Sequence, residues 1–242
     1  MDNKQNTFSF NPTTIFVIGI IIAILVILSV GFFILLADRL DNNEPAAGSA
    51  NVNNQPSAAA VAPSAETRAN IAISPADHIR GNLEAPVKII EFSDYQCPYC
   101  QRFHVTMQQV MAEYGDDVVW IYKHFPLSSI HPNAESAAIA SECVAEQAGN
   151  DGFWQFTDAM FAYQSQLGSA LYLQVAEQIG VDINQFNDCV SSGKYSGKIQ
   201  ADLTLGGQNG VDGTPGNFIN GLSVKGAYPF ESIKQIIDSE LN

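Results

Sequence analysis

Basic side chains are scarce in this chain of 242 residues: 11 lysines and arginines stand against 25 aspartates and glutamates, a formal net charge of −14. No basic patch is available to release counterions from phosphates, which argues against a nucleic-acid partner. The acidity names no partner by itself and reads most simply as solubility. Cysteine is rare as well: four residues are too few for a miniprotein built on disulfides. Glycine-rich phosphate loops, an HExxH and repeat periods are all missing. Apolar character is not missing. At 46% hydrophobic residues the chain cannot be disordered throughout, and its length allows one or two domains.

The apolar residues are unevenly spread. Ile15 to Ala37 runs for 23 residues without a charge, and Ser29 is its one polar side chain. At about 1.5 Å per residue, a helix of that length crosses a hydrocarbon core of roughly 30 Å. A cleaved signal peptide is the competing reading, but its apolar region is usually about 7–15 residues. The small residues around Ala47 to Ala50 that imitate a cleavage site also lie far beyond the run. The expectation is a signal anchor at 15–37 behind a short cytoplasmic segment, 1–14. Lys4 precedes the helix, and Arg39 follows it among Asp38, Asp41 and Glu44, a weak positive-inside signal. From 38 to 70 Ala, Asn, Pro, Ser and Gly dominate and aromatics vanish, so this stretch reads as a flexible tether. Residues 71–242 hold all four cysteines, both tryptophans and 20 of the acids, the size of one globular domain.

Within that domain Val87 to Phe92 suits a strand covered on both faces. Cys97-Pro98-Tyr99-Cys100 follows, and then Phe103, Met107, Val110, Met111 and Tyr114 recur at helical spacing. Val118 to Phe125 reads as a second strand, and a parallel pair is the natural pairing. From Pro132, which suits a first helical turn, to about 207 the pattern is helical, with a stop near Gly149-Asn150 and room for three or four helices. Phe218-Ile219 and Leu222 to Lys225 flank Asn220-Gly221, a strong hairpin dipeptide. Phe230, Ile233, Ile236, Ile237 and Leu241 make a last amphipathic helix. The order β–α–β, helical block, β–β–α is that of an α/β thioredoxin-like fold with a large helical insertion at about 132–207, here preceded by one N-terminal transmembrane helix.

The CxxC opens a helix directly after a strand. Half a zinc site would need a second ligand pair at knuckle spacing. Cys143 and Cys189 are 46 positions apart, and His78, His104, His124 and His131 are scattered, so no metal and no cofactor are expected. A helix start favours redox chemistry, because free N–H groups and the helix dipole stabilise a thiolate there. Cys97 is expected to be the exposed, low-pKa nucleophile and Cys100, one turn deeper, the resolving partner. A client thiolate would attack Cys97, a mixed disulfide would form, and the client's second thiol would resolve it. Pro98 and Tyr99 add shape and polarity to this centre, not charge. His124, beside Lys123 at a strand end, reads as a solvated histidine, and Phe153, Trp154 and Phe161 read as core.

Phe92-Ser93-Asp94-Tyr95-Gln96-Cys97-Pro98-Tyr99-Cys100, with Ala85-Pro86-Val87 ahead of it, resembles the DsbA-like thiol–disulfide oxidoreductases. The similarity continues through His131-Pro132-Asn133-Ala134, Phe153-Trp154 and Gly210-Val211-Asp212-Gly213-Thr214-Pro215, covering roughly 75–240. The resemblance implies that Pro215 is cis and faces the CxxC, that its neighbourhood binds an extended client segment, and that Thr214 tunes the thiolate. It also implies a buried acid at Glu91, beneath Cys100, able to relay a proton; a sheet-edge carboxylate turned to water is the alternative. It further implies a structural disulfide between Cys143 and Cys189, which an oxidising compartment favours.

The expected function is that of a membrane-tethered disulfide oxidase acting on cysteine-containing exported proteins. The expected location is the cell membrane, single-pass, with the catalytic domain outside the cytoplasm. An isomerase or reductase of the same fold shares the chemistry, and Pro98-Tyr99 does not separate them. A non-enzymatic binding module would be favoured by loss of the CxxC, which is present. The partners implied are a membrane redox protein, either a quinone-linked reoxidant or an electron donor, and the lipid bilayer through 15–37. A monomer is expected.

Overall fold

The computed structural model describes residues 68–242. The expected membrane span at 15–37 and nearly all of the expected tether lie outside the described residues. Among those described, no helix is long and apolar enough to cross a membrane. The domain's own contacts begin at Arg68, ahead of the boundary at 71 read from composition. Its guanidinium bonds Glu240 at 2.7 and 2.8 Å.

Five strands form one sheet: β1 (His78–Arg80), β2 (Val87–Ser93), β3 (Val118–His124), β4 (Gly216–Ile219) and β5 (Leu222–Lys225), in the order β1-β3-β2-β4-β5. β2 and β3 are parallel, joined by α1 (Pro98–Tyr114). The other pairings are antiparallel. The helical block is α2 (Ala134–Ala162), α3 (Ser169–Ile179), α4 (Ile183–Ser192) and α5 (Ser196–Gln208), and α6 (Phe230–Leu241) closes the domain.

The two central strands alternate as a period of two requires. Val87, Ile89, Val118, Trp120 and Tyr122 join one apolar cluster with Phe103 and Met107 of α1, Phe153 and Phe156 of α2, and Ile233 and Ile237 of α6. Ile90, Phe92, Val119 and Ile121 join a second cluster with Phe125, Val211 and Phe218 on the opposite face. Covering both faces is why β3 is buried along its whole length. α5 comes so close to the second face that a side chain at Gly206 would meet the rings of Phe125 at 2.8 Å and Phe92 at 2.9 Å.

The hairpin forms as the dipeptide predicts: Asn220 (φ 45) and Gly221 (φ 84) both take positive φ, as the right-handed twist of the flanking strands demands. The first helical stretch of α2 stops near Gly149-Asn150, as expected, and a second stretch follows directly across a kink. Gly149 turns the backbone with φ 66, and helical structure resumes to Ala162. Asn150 is held there by β1, accepting from Ile79 N–H at 2.9 Å and donating to Ile79 O at 2.7 Å. Pro132 lies ahead of the first helical residue, Ala134, rather than in the first turn. β1 has no counterpart in the sequence reading: three residues, His78-Ile79-Arg80, carry too little pattern.

Candidate active site

The C-terminal end of β2 delivers the chain to the start of α1, and the turn between them is pinned from several sides. The buried Asp94 carboxylate accepts from Gln96 N–H at 2.7 Å, from Leu127 N–H at 2.8 Å and is 2.7 Å from His131 Nδ1. Gln96 Oε1 accepts from Asn133 N–H at 2.7 Å. At the end of α2, Gln164 Nε2 donates to Tyr95 O and Cys97 O, both at 2.9 Å. The helical insertion and the loop before it therefore clamp the segment that carries the first cysteine.

Cys97 is the N-cap residue of α1 and Pro98 occupies the first helical position, where its missing N–H costs nothing. No side-chain oxygen caps this helix. The Cys97 sulfur takes that part: the side chain of Cys100, the Thr214 hydroxyl and the backbone N–H groups of Cys100 and Tyr99 stabilise its thiolate and lower its pKa to about 6, against the opposing effect of burial. The sulfur also lies 3.4 Å from Thr214 O. Thr214–Pro215 is a cis peptide bond, beside the cysteine pair as the resemblance implies.

One expectation is corrected here. Cys97 is not an exposed thiol; it is only 3% exposed, because the Thr214 segment and the end of α2 close over it. Pro98 and Tyr99 are the exposed members of the motif, with the Arg102 guanidinium 5.0 Å from the Tyr99 ring centre. A cation thus stands beside a dipeptide that itself carries none.

Cys100 is fully buried, and the Asp94 N–H points at its sulfur from 3.5 Å. Burial first, then the hydrogen bond with Cys97 and the charges of Glu91 and Cys97, push its thiol well above the ordinary range. Glu91 is fully buried in the central strand, not at a sheet edge. One of its oxygens accepts from Trp120 Nε1 at 2.9 Å and the other has no hydrogen-bond partner among the described residues. Burial raises its pKa to about 7, although the Ser93 hydroxyl and Trp120 oppose the shift.

Cys143 of α2 and Cys189 of α4 are joined in a disulfide, with 5.8 Å between their Cα atoms. Cys97 and Cys100 are free thiols. The reading of His124 is also corrected. It is buried, not solvated, since β3 is covered on both faces; its Nε2 is 2.8 Å from Glu142 Oε1, which also meets His78 and Lys198. Lys123 beside it is buried too, bonded to Asp77 at 2.7 Å. Phe153, Trp154 and Phe161 are core, as expected. Sequence reasoning missed Ser93, Asp94, Gln164 and His131. Asp94 and His131 stand inside motifs that were recognised, and their pairing across 37 positions was the signal left unread.

A family model described as thioredoxin matches residues 73–239. Among curated proteins, the Na(+)/H(+) antiporter NhaA 3 of Salinispora tropica is 34% identical over 163 residues, covering 67% of this chain and 24% of that protein. The Na(+)/H(+) antiporter NhaA 1 of Mycolicibacterium gilvum is 33% identical over 165 residues, covering 67% and 26%. The chain thus spans about a quarter of the length of these relatives. Among solved structures, oxidised BdbD from Bacillus subtilis superposes with a TM-score of 0.63 at 22% identity, covering 69% of this chain and 93% of that one. Wolbachia pipientis alpha-DsbA1 gives 0.61 at 23% identity, covering 69% and 92%. These likenesses are of fold: a thioredoxin-like domain with the helical insertion of the DsbA kind.

Proposed function

The chain belongs to the thioredoxin family, and from that premise we propose that it is a thiol–disulfide oxidoreductase working as an oxidase. The observation that carries this is the Cys97 sulfur at the start of α1, its pKa lowered to about 6 by the donors around it, directly above a buried Cys100. A thiolate that stable makes the reduced form favourable, so the disulfide form is a good oxidant.

A client thiolate attacks Cys97 Sγ, Cys100 leaves, and the client's second thiol releases Cys97 as a thiolate. Thr214 and cis-Pro215 lie beside Cys97; proline's missing N–H leaves that edge open for an extended client segment. Glu91, its pKa near neutrality, supplies or removes the proton that Cys100 exchanges. The clients are cysteine-containing exported proteins. Residues 15–37 anchor the chain in the membrane and 38–70 tether a domain held outside the cytoplasm, where a membrane redox protein reoxidises it.

The test is the equilibrium potential of the Cys97–Cys100 pair, measured against glutathione. A value far more oxidising than the roughly −270 mV of thioredoxin fits the oxidase. A value near it would make the protein a reductase.

A further inference from the structure

Three buried polar atoms near the resolving cysteine lack a hydrogen-bond partner among the described residues: Glu91 Oε1, Ser93 Oγ and Tyr122 OH. Leaving such a group unpaired in the interior is costly, so three close together next to a reacting sulfur call for an explanation in chemistry. Glu91 and Ser93 are two positions apart on β2, so their side chains leave the same face of the sheet, the face on which α1 packs. Tyr122 is the register partner of Glu91 across β3. The residue after Ser93 aims its N–H at Cys100 Sγ from 3.5 Å.

The Ser93 hydroxyl favours the ionised forms of Glu91, Cys100 and Tyr122 alike, against burial, which raises all three. Its oxygen, which holds no hydrogen bond among the described residues, shares the sheet face of the carboxyl and precedes the residue whose N–H meets Cys100 Sγ. A hydroxyl accepts a proton on one side while giving one on the other. Trp120 Nε1–H, which holds the other oxygen of Glu91, only donates.

Resting on the oxidoreductase reading above, we propose that Ser93 is the proton carrier between Glu91 and Cys100. When a client thiolate attacks Cys97 Sγ, a client–Cys97 disulfide forms, the Cys97–Cys100 bond breaks, and its electron pair leaves on Cys100. The Ser93 hydroxyl gives its proton to Cys100 Sγ as Glu91 gives its own to Ser93 Oγ. Glu91 is left as a carboxylate and Ser93 is unchanged. Reoxidation by a partner disulfide runs the chain backwards and returns the proton to Glu91. The titratable groups facing Glu91 are Tyr122 from β3 and Cys97 and Cys100 from α1. Farther out, His104 lies against Trp120 and bonds Asp158 of α2, and His124, bonded to Glu142 of α2, lies against Tyr122. α6 brings uncharged Ile233 and Ile237 to this face, and Asn217 is the neighbour from β4.

The experiment is single-turnover reduction of the disulfide form of the full chain by a cysteine-containing peptide, between pH 5 and 9, with rates corrected for the peptide's thiolate fraction. The wild-type rate should fall as pH rises through the titration of the buried Glu91, whose pKa burial raises. S93A should be slower by about tenfold or more at pH 6 and flat with pH, with the gap closing by pH 9. E91Q should be equally flat, and the double variant no slower than E91Q alone. The isosteric pair S93T and S93V, which differ only in the hydroxyl, should repeat the contrast if S93A folds poorly. Should S93A and S93V keep the wild-type profile while E91Q loses it, the carrier is overturned and the oxidoreductase reading stands. A wild-type protein without exchange would overturn that reading itself.

Discussion

Cys97 and Cys100 lie three positions apart at the start of a helix, whereas Cys143 and Cys189 are separated by 46 and tie α2 to α4. Exposure does not separate the two pairs. Cys97 is 3% exposed and Cys189 is 8% exposed, so the cysteine held in the cross-link is the more open of the two. The difference lies in what points at the sulfur. The backbone N–H groups of the helix start and the Thr214 side chain favour the Cys97 thiolate, and Cys100 has the Asp94 N–H and sits near a buried carboxyl. The other pair belongs to the main core cluster, has an acceptor rather than a donor beside it (the Glu146 carboxylate, 3.6 Å from Cys189 Sγ) and closes a long loop. Reactivity in this fold follows directed donors, and stabilisation follows chain separation.

The sharpest contrast comes from breaking each pair in turn. C97S should reduce thiol exchange to background while leaving the melting temperature close to that of the reduced wild type. The double variant C143A/C189A should do the reverse. Loop closure over 46 residues is worth about 4 kcal/mol in the chain-entropy account. That is a fall in melting temperature of roughly 10 °C for a domain of this size. Its Cys97 alkylation rate should still rise with a midpoint near pH 6. Loss of that midpoint in the double variant would mean that the helical block, not the helix start, sets the reactivity.

Glu91, the buried ionisable group beside the redox pair, sharpens the comparison from the side of stability. Its folded pKa of about 7 lies above the unfolded value near 4.5. For an acid raised in this way the protonated form is the one the fold accommodates. Stability is therefore full below about pH 4.5 and is lost as pH rises through 7, by about 3 kcal/mol in total for this group. E91Q should remove that slope from the pH dependence of denaturant unfolding. If the slope persists in E91Q, another buried group is responsible.

How much of this was legible in the sequence depended on range. The apolar runs of β2 and β3, the Asn220-Gly221 turn and the helix after the CxxC are local patterns, and the structure follows them. So was the motif around Cys97, though not its burial. The Thr214 segment that covers it arrives 117 positions later. His124 and Lys123 looked like a solvated strand end because their partners, Glu142, Asp77 and Asp202, come from α2, the segment before β1 and α5. β1 was invisible for a different reason. Its pairing partner, β3, makes it a strand, while its own three residues carry no periodicity.

Gln164 is where the two regions meet, and it offers the smallest of the expected effects. α2 carries Cys143 in its first half, and Gln164, just past its end, donates to Tyr95 O and Cys97 O. Losing such bonds in a part-buried setting costs about 1 kcal/mol, because water replaces some of what is lost. Q164A should therefore melt roughly 3 °C lower. The amide bonds the carbonyl of Cys97, not its sulfur, and the groups that lower the Cys97 pKa are all elsewhere. The alkylation midpoint should thus stay near pH 6 even as the clamp loosens. A shift of that midpoint in Q164A would show that the insertion tunes the sulfur through the backbone, and the separation drawn between donors and scaffold would have to give way.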